Sequence, residues 1–246
     1  MLPPTTAELV SVWESGLRQP RLDTALHLLC LTDPALTPAT AAALSIGERD
    51  ARLLQLRIDL FGSRLANKAD CPVCAETVEW ETDARDLLLQ TPVPNAPVRQ
   101  LQLDQDDFSI RFRLPDSYDL HRAMTHPTYA NHPQQLLLDC ILRLEHQGAE
   151  TPVETLPMHV ADALTERMAE ADPQADLQMV IGCPGCGHSW SVWFDIVRYL
   201  WVEIDNWAKH LMQEVVLLAR SFGWSEGEIL ALTPQRRQLY IDLIRG

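Results

Sequence analysis

Two short turns constrain this chain more than any other feature. Cys71-Pro-Val-Cys74 and Cys183-Pro-Gly-Cys186 share the pattern C-P-x-C, and 108 residues lie between Cys74 and Cys183. A C-x-x-C turn presents two thiolates from one knuckle. Zinc takes four soft ligands in a tetrahedron, so each pair asks for the other. An alternating stretch with tryptophan follows each pair: Trp80 after the first, Trp190 and Trp193 after the second. Knuckle and strand, twice over, make a zinc ribbon, here split by the residues inserted between its halves. Four cysteines saturate zinc and leave no position open for water. The expected role of Cys71, Cys74, Cys183 and Cys186 is therefore to bind a structural Zn2+ that pins two distant segments together. Redox pairs are one alternative, but a thioredoxin-like C-x-x-C opens a helix after a strand, and neither pair does. An iron–sulfur cluster is another that four thiolates serve. His188, two residues past Cys186, is expected beside the metal or exposed rather than as a ligand. Cys30 and Cys140 lie in apolar runs, HLLC and LLLDCIL, and read as buried thiols.

Charge narrows the function classes. The net charge is −14: residues 1–195 hold 14 Lys/Arg against 28 Asp/Glu, and residues 196–246 hold 6 of each. An acidic surface repels phosphate backbones and anionic membranes, so nucleic-acid and membrane binding are not expected. No stretch has 18 uninterrupted apolar residues. The first residues, MLPPTTAELV, lack the basic end and apolar run of a signal peptide, and the expected location is the reducing cytoplasm. No glycine-rich phosphate loop, GxSxG or HExxH occurs, so neither catalysis nor a small-molecule substrate is expected. The acidic run DQDD at 104–107 reads as a solvated hairpin turn.

The expected fold is α+β, mainly α-helical, with the small split ribbon and a helical C-terminal tail. Residues 1–68 read as an N-terminal helical region. Within it, Thr6 caps a first helix, Thr37-Pro38 starts a third, and ERDARLLQLRIDLF ends at Gly62. Residues 69–97 hold the first knuckle and a proline-rich linker, QTPVPNAPV. Residues 98–175 are read as an inserted strand pair followed by a helical subdomain, with Asn131 capping a helix that carries QQLLLDCILRL to Gly148. Residues 176–195 complete the ribbon. In the tail, 196–246, Ile196, Leu200, Ile204, Trp207, Leu211, Val215, Leu218 and Phe222 recur at helical spacing. Ser225-Glu-Gly-Glu228 is a capping box, and Thr233-Pro234 opens a last helix.

That tail offers more apolar surface than one helix needs. It reads as a docking module whose candidate contacts are Trp207, Leu211, Val215, Leu218, Phe222, Trp224, Arg236, Arg237 and Tyr240. A helix-turn-helix with Arg236 and Arg237 on phosphate is opposed by the acidic body and the neutral tail.

The tail also resembles the C-terminal signature of phage T4-type baseplate hub assembly proteins and their relatives in contractile injection systems. The matching pieces are Glu214-Val215 with Leu218-Ala219, Gly223-Trp224-Ser225-Glu226, Ile229-Leu230, and Arg236-Arg237 with Tyr240. SIGERDARLLQLRIDLFG, the paired CPxC turns, FRLPDSYDL and WFDIVRYLW are similar to zinc-binding members of that group. The resemblance implies a non-enzymatic chaperone or minor component of the baseplate hub, whose partners are baseplate hub or tail proteins, and it carries over no catalytic residues. The alternatives are a zinc-ribbon regulator that binds nucleic acid, and a metal or redox enzyme.

Overall fold

The computed structural model describes residues 3–89, 100–132 and 134–246. The α+β fold divides into two compact units, one formed by both ends of the chain (1–34 and 196–246) and one by residues 35–195. Along the chain run α1 (Thr6–Gly16), α2 (Arg21–Thr32), α3 (Pro38–Ala42) and α4 (Ile46–Phe61), then the hairpin β1 (Arg64–Asp70) and β2 (Thr77–Asp83). Next come β3 (Gln100–Gln105) and β4 (Phe108–Arg113), then α5 (Ser117–Thr125), α6 (Pro127–Asn131) and α7 (Gln135–Asp139), and then β5 (Ile141–His146) and β6 (Ala149–Glu150). The chain closes with α8 (Met158–Ala171), the hairpin β7 (Gln178–Gly182) and β8 (Ser189–Trp193), and the tail helices α9 (Ile196–Phe222), α10 (Glu226–Leu230) and α11 (Pro234–Arg245).

In the first unit, α1 and α2 lie against α9. The apolar stripe of α9 buries Ile196, Leu200, Ile204, Ala208, Leu211 and Leu218. Gly16 ends α1 where Trp201 of α9 passes: a Cβ there would sit 2.4 Å from the indole. The Trp13 indole donates to Asp205 Oδ1 at 3.0 Å. Gly223, at φ 71°, terminates α9 in the left-handed region, and α10 and α11 turn back on its last turns around Leu218, Ile229 and Ile241. Phe222, Trp224 and Tyr240 close this end as an aromatic trio, with Phe222 stacked on Trp224 at 4.7 Å and Tyr240 edge-on to both. Buried Arg237 donates to Glu214 at 3.0 Å and to the Leu232 carbonyl at 2.8 Å.

The second unit is organised around α4. Ser45 caps it, and the Gly47 N–H donates to the buried Asp172 at 2.9 Å. A Cβ at Gly47 would lie 2.0 Å from that carboxylate, so only glycine fits. Arg49, Arg52 and Arg57 are all buried on this helix. Arg49 pairs with Asp50 and donates to Ser117 of α5, while Arg57 donates to the carbonyls of Gly62 and Arg64 and so fastens α4 to the start of β1. Strands β3-β4-β5-β6 form one antiparallel sheet whose inner face, Ile110, Phe112 and Leu144, is covered by Val160, Leu164 and Met168 of α8. Its hairpin turns are two residues long, with positive φ at both positions, Asp106-Asp107 and Gln147-Gly148, as the right-handed strand twist requires. Of DQDD, Asp106-Asp107 thus make the hairpin turn, while Asp104 and Gln105 end β3. At the start of α5, Asp119 is fully buried and receives both Arg113 nitrogens, at 2.5 and 2.8 Å, together with Arg122.

Four local expectations are corrected. Thr5, not Thr6, caps α1, because Thr5 stands three residues before Glu8 and the two close a capping box. The stretch 64–70 is a strand rather than part of a helical region, since it pairs along its whole length with 77–83. The helix expected through QQLLLDCILRL stops at Asp139. Ile141–His146 is instead the third strand of the sheet, drawn in by pairing with β4, so the inserted part is not a strand pair plus helices. Cys140 is buried at that turn, but Cys30 on α2 is only half-buried. The linker expected at 90–98 and the side chain of Asn131 lie outside the described residues; the backbone of Asn131 closes α6.

Candidate metal centre

The two knuckles have the same local construction. In each, the first cysteine's N–H is bonded across the turn, Cys71 to the Glu76 carbonyl at 2.9 Å and Cys183 to the His188 carbonyl at 2.8 Å. Each first cysteine's carbonyl accepts in turn from the residue after the second cysteine, Ala75 or Gly187. That residue sits at positive φ, 58° for Ala75 and 73° for Gly187. Glycine tolerates this freely, whereas alanine is strained there by about 1–2 kcal/mol. Proline after each first cysteine fixes φ at the head of the turn.

The turns bring all four sulfurs together. Cys71, Cys74, Cys183 and Cys186 have Sγ atoms within 4.8 Å of one another, with Cys71 to Cys186 at 3.7 Å and Cys74 to Cys183 at 3.5 Å. These are not disulfide distances, which are about 2.05 Å. A tetrahedral ion with metal–sulfur bonds of about 2.3 Å sets sulfur–sulfur edges of about 3.8 Å, and the cage matches it. It is too tight for a multi-iron cluster, whose bridging sulfides hold the cysteines farther apart. The donor set thus fits a single four-coordinate metal ion. Among the described residues no histidine or carboxylate joins the cluster. His188 is half-buried and stacks on Trp190, ring centres 6.1 Å apart.

Electrostatics point the same way. Burial raises the Cys71 thiol, but the amides of Cys74 and Val73 outweigh it and bring it to about 7. The amide of Glu76 favours a thiolate at Cys74, yet the crowd of neighbouring sulfurs pushes it up to about 12; Cys186 is also raised. Four thiolates cannot share this space without a cation among them, and a bound ion removes that obstacle.

The hairpins pack face to face behind the cage. Cys71, Val78, Ile181 and Cys183 are buried, flanked by Ala69, Trp80, Trp190 and Val192. Counted outward from the knuckles, Val78 in one hairpin corresponds to Trp190 in the other, and Trp80 to Val192. Large and small residues thus exchange places across the ribbon and interlock. Gly185 gives way to Glu76, whose carboxylate would lie 2.1 Å from any Cβ there.

The tail residues singled out from sequence are distributed differently. Leu211, Leu218 and Arg237 are buried. Trp207, Val215, Trp224 and Tyr240 are half-buried, while Phe222 and Arg236 are exposed. Missing from that set are Leu239 and Leu243, which stand 63% and 75% exposed at i, i+4 spacing on α11. Their only signal in the sequence is an apolar residue on each side of the buried Ile241.

Compared with known proteins, the family described as T4 bacteriophage base plate protein matches residues 30–201, more than half of the chain and including both knuckles. No curated protein and no solved structure matches. Among the described residues, no helix is long and apolar enough to cross a membrane.

Proposed function

The chain belongs to the T4 bacteriophage base plate protein family, and from that premise we propose that it acts as a non-enzymatic assembly factor, or minor component, of the baseplate hub in a contractile phage tail or injection system. The observation that carries this reading is a family match spanning both knuckles and everything between them. The metal in this reading is zinc, held by Cys71, Cys74, Cys183 and Cys186. Four thiolates leave no coordination position for a substrate or water, which supports a structural ion over a catalytic one. The partners are other baseplate or tail proteins. Docking through the tail is supported by the open face of α11, where Leu239 and Leu243 lie beside Arg236, and by Phe222 at the edge of the aromatic trio.

The test is an affinity pull-down from cells expressing the native gene cluster, run beside purified mature particles. Wild type is compared with Cys183→Ser and with the double variant Leu239→Lys/Leu243→Lys. Hub proteins that co-purify from lysate while the chain is absent from particles mark an assembly factor; presence in the particle marks a component. Loss of the partners in the double variant, with metal content unchanged, assigns docking to α11. Recovery of no tail protein with the wild type overturns the reading.

A further inference from the structure

The split ribbon contains its own control. Its two hairpins have equivalent outward faces, which can be matched position by position from the knuckles. On the first hairpin that face is charged: Arg64, Lys68, Asp70, Glu79 and Glu81 are all exposed, Arg64 pairs with Glu81, and Lys68 stands opposite Glu79. This is the composition of a solvated surface. On the second hairpin Arg64 is matched by Asp176, but the six strand positions that match Ala66, Lys68, Asp70, Thr77, Glu79 and Glu81 carry no charge: Gln178, Val180, Gly182, Ser189, Ser191 and Trp193. Lys68 is replaced by Val180, which is 77% exposed, and Glu81 by Trp193, which is 75% exposed. Val180 pairs with Ser191 and Trp193 with Gln178, so the two apolar side chains are diagonal neighbours on one face. The ribbon core lies on the opposite face, so folding does not require them there. The indole is nonetheless held in place: its N–H donates to Asp176 at 3.0 Å, and Gln178 donates to both oxygens of the same carboxylate at 3.3 and 3.1 Å. An uncharged patch with a fixed, uncovered tryptophan has the composition of an interface centre.

We propose that this face docks a basic, extended segment of another baseplate protein. The inference rests on the baseplate reading above. In the docked state an apolar residue of the segment covers Val180, and a Lys or Arg lies over the Trp193 ring with its charge toward Asp176. Charge selects the occupant: residues 35–195 hold 12 Lys/Arg against 24 Asp/Glu, a field that draws basic segments and repels acidic ones. A second copy of this chain brings the same acid excess. Two five-residue strands also span only about 16 by 10 Å, far below the roughly 800 Å² per partner of a standard protein interface. A short segment fits that area.

The experiment places a photo-reactive amino acid at Ser191, at the equivalent Glu79, and at Leu239 of α11, each in the full chain co-expressed with its native gene cluster. The expected result is a cross-link from position 191 to one baseplate protein, mapping by mass spectrometry to a Lys- or Arg-containing peptide, with little from position 79. Trp193→Glu should lower the yield at 191 about tenfold or more, with bound metal unchanged as the check on folding. Equal yields from 191 and 79, a cross-link to a second copy, an acidic target peptide, or a yield indifferent to Trp193→Glu each overturns the proposal. If position 239 captures tail proteins while 191 captures none, the baseplate reading stands and this inference falls. If neither captures one, both fall.

Discussion

Removing the metal should melt the ribbon and leave the inserted subdomain standing. The cage joins segments 108 residues apart. In the chain-entropy view, closing a loop of about 100 residues is worth about 4.7 kcal/mol, and structural zinc in small domains contributes about 10–16 kcal/mol of folding free energy. Behind the cage the buried residues are Cys71, Val78, Ile181 and Cys183. Val78 and Ile181 are worth about 1.5–3 kcal/mol each by apolar burial, so a bound ion would outweigh those two together. Two-stranded hairpins are marginal by themselves. The four-stranded sheet has its own core in Ile110, Phe112, Leu144, Val160 and Leu164, none of which touches the cage. Hydrogen exchange read by mass spectrometry should show residues 64–83 and 178–193 losing protection on chelation, while 100–113, 141–150 and α8 keep theirs. Metal analysis should return one zinc per chain. Retained protection of both hairpins in demonstrably metal-free protein would refute the argument, because the apolar core would then suffice.

Other substitutions follow from the same geometry. Arg237→Ala strands Glu214 in a largely closed site and should destabilise by about 3–5 kcal/mol in urea unfolding, with Arg237→Met costing less. Asp119→Asn should cost less, about 1–3 kcal/mol, because it removes the closest partner of Arg113 but leaves the Asp116 carboxylate at 3.6 Å. Burial raises the Asp119 carboxyl, but Arg113 and its other partners hold it below the ordinary range. Its contribution is therefore present above the unfolded carboxylate pKa of about 3.9 and is lost as pH falls below that value; the Asn variant should lack this part of the acid transition. Gly187→Ala should cost about 1 kcal/mol in thermal unfolding, whereas Ala75→Gly at the equivalent position should be neutral or slightly stabilising. Gly16→Ala should lower the melting temperature, with a cost of about 1–3 kcal/mol, by driving a methyl into Trp201.

Where the sequence was read correctly, local chemistry decided the structure. The paired C-P-x-C turns, the strands after them, and the caps at Thr37, Ser225 and Thr233 need only neighbouring residues to act, and all are present. Failure came where distant partners decide. Leu138, Ile141 and Leu144 fall at helical spacing, yet Ile141–His146 is a strand because β4 offers it a hydrogen-bonded edge and places Leu144 opposite Ile110. RLANKAD shows little alternation, with Asn67 facing inward, so only its pairing with β2 makes it a strand. The buried arginines of α4 and the buried Asp119 were invisible for the same reason: a charge reads as surface until its partner is known. Leu211 and Leu218 belong to a stripe that was legible, but the stripe alone did not say which of its residues the fold would bury.

The separation of the two knuckles also sets a timetable. A ribosome adding about 5–20 residues per second needs roughly 5–20 s to pass from the first cysteine pair to the second. During that interval the nascent chain displays half a binding site, two thiols that can hold an ion only weakly or be oxidised. The sheet and α8 between them have time to fold first, and they carry the second knuckle toward the first. An ion held by all four cysteines can therefore be captured only after the second knuckle emerges, when every residue of the inserted subdomain has already been synthesised.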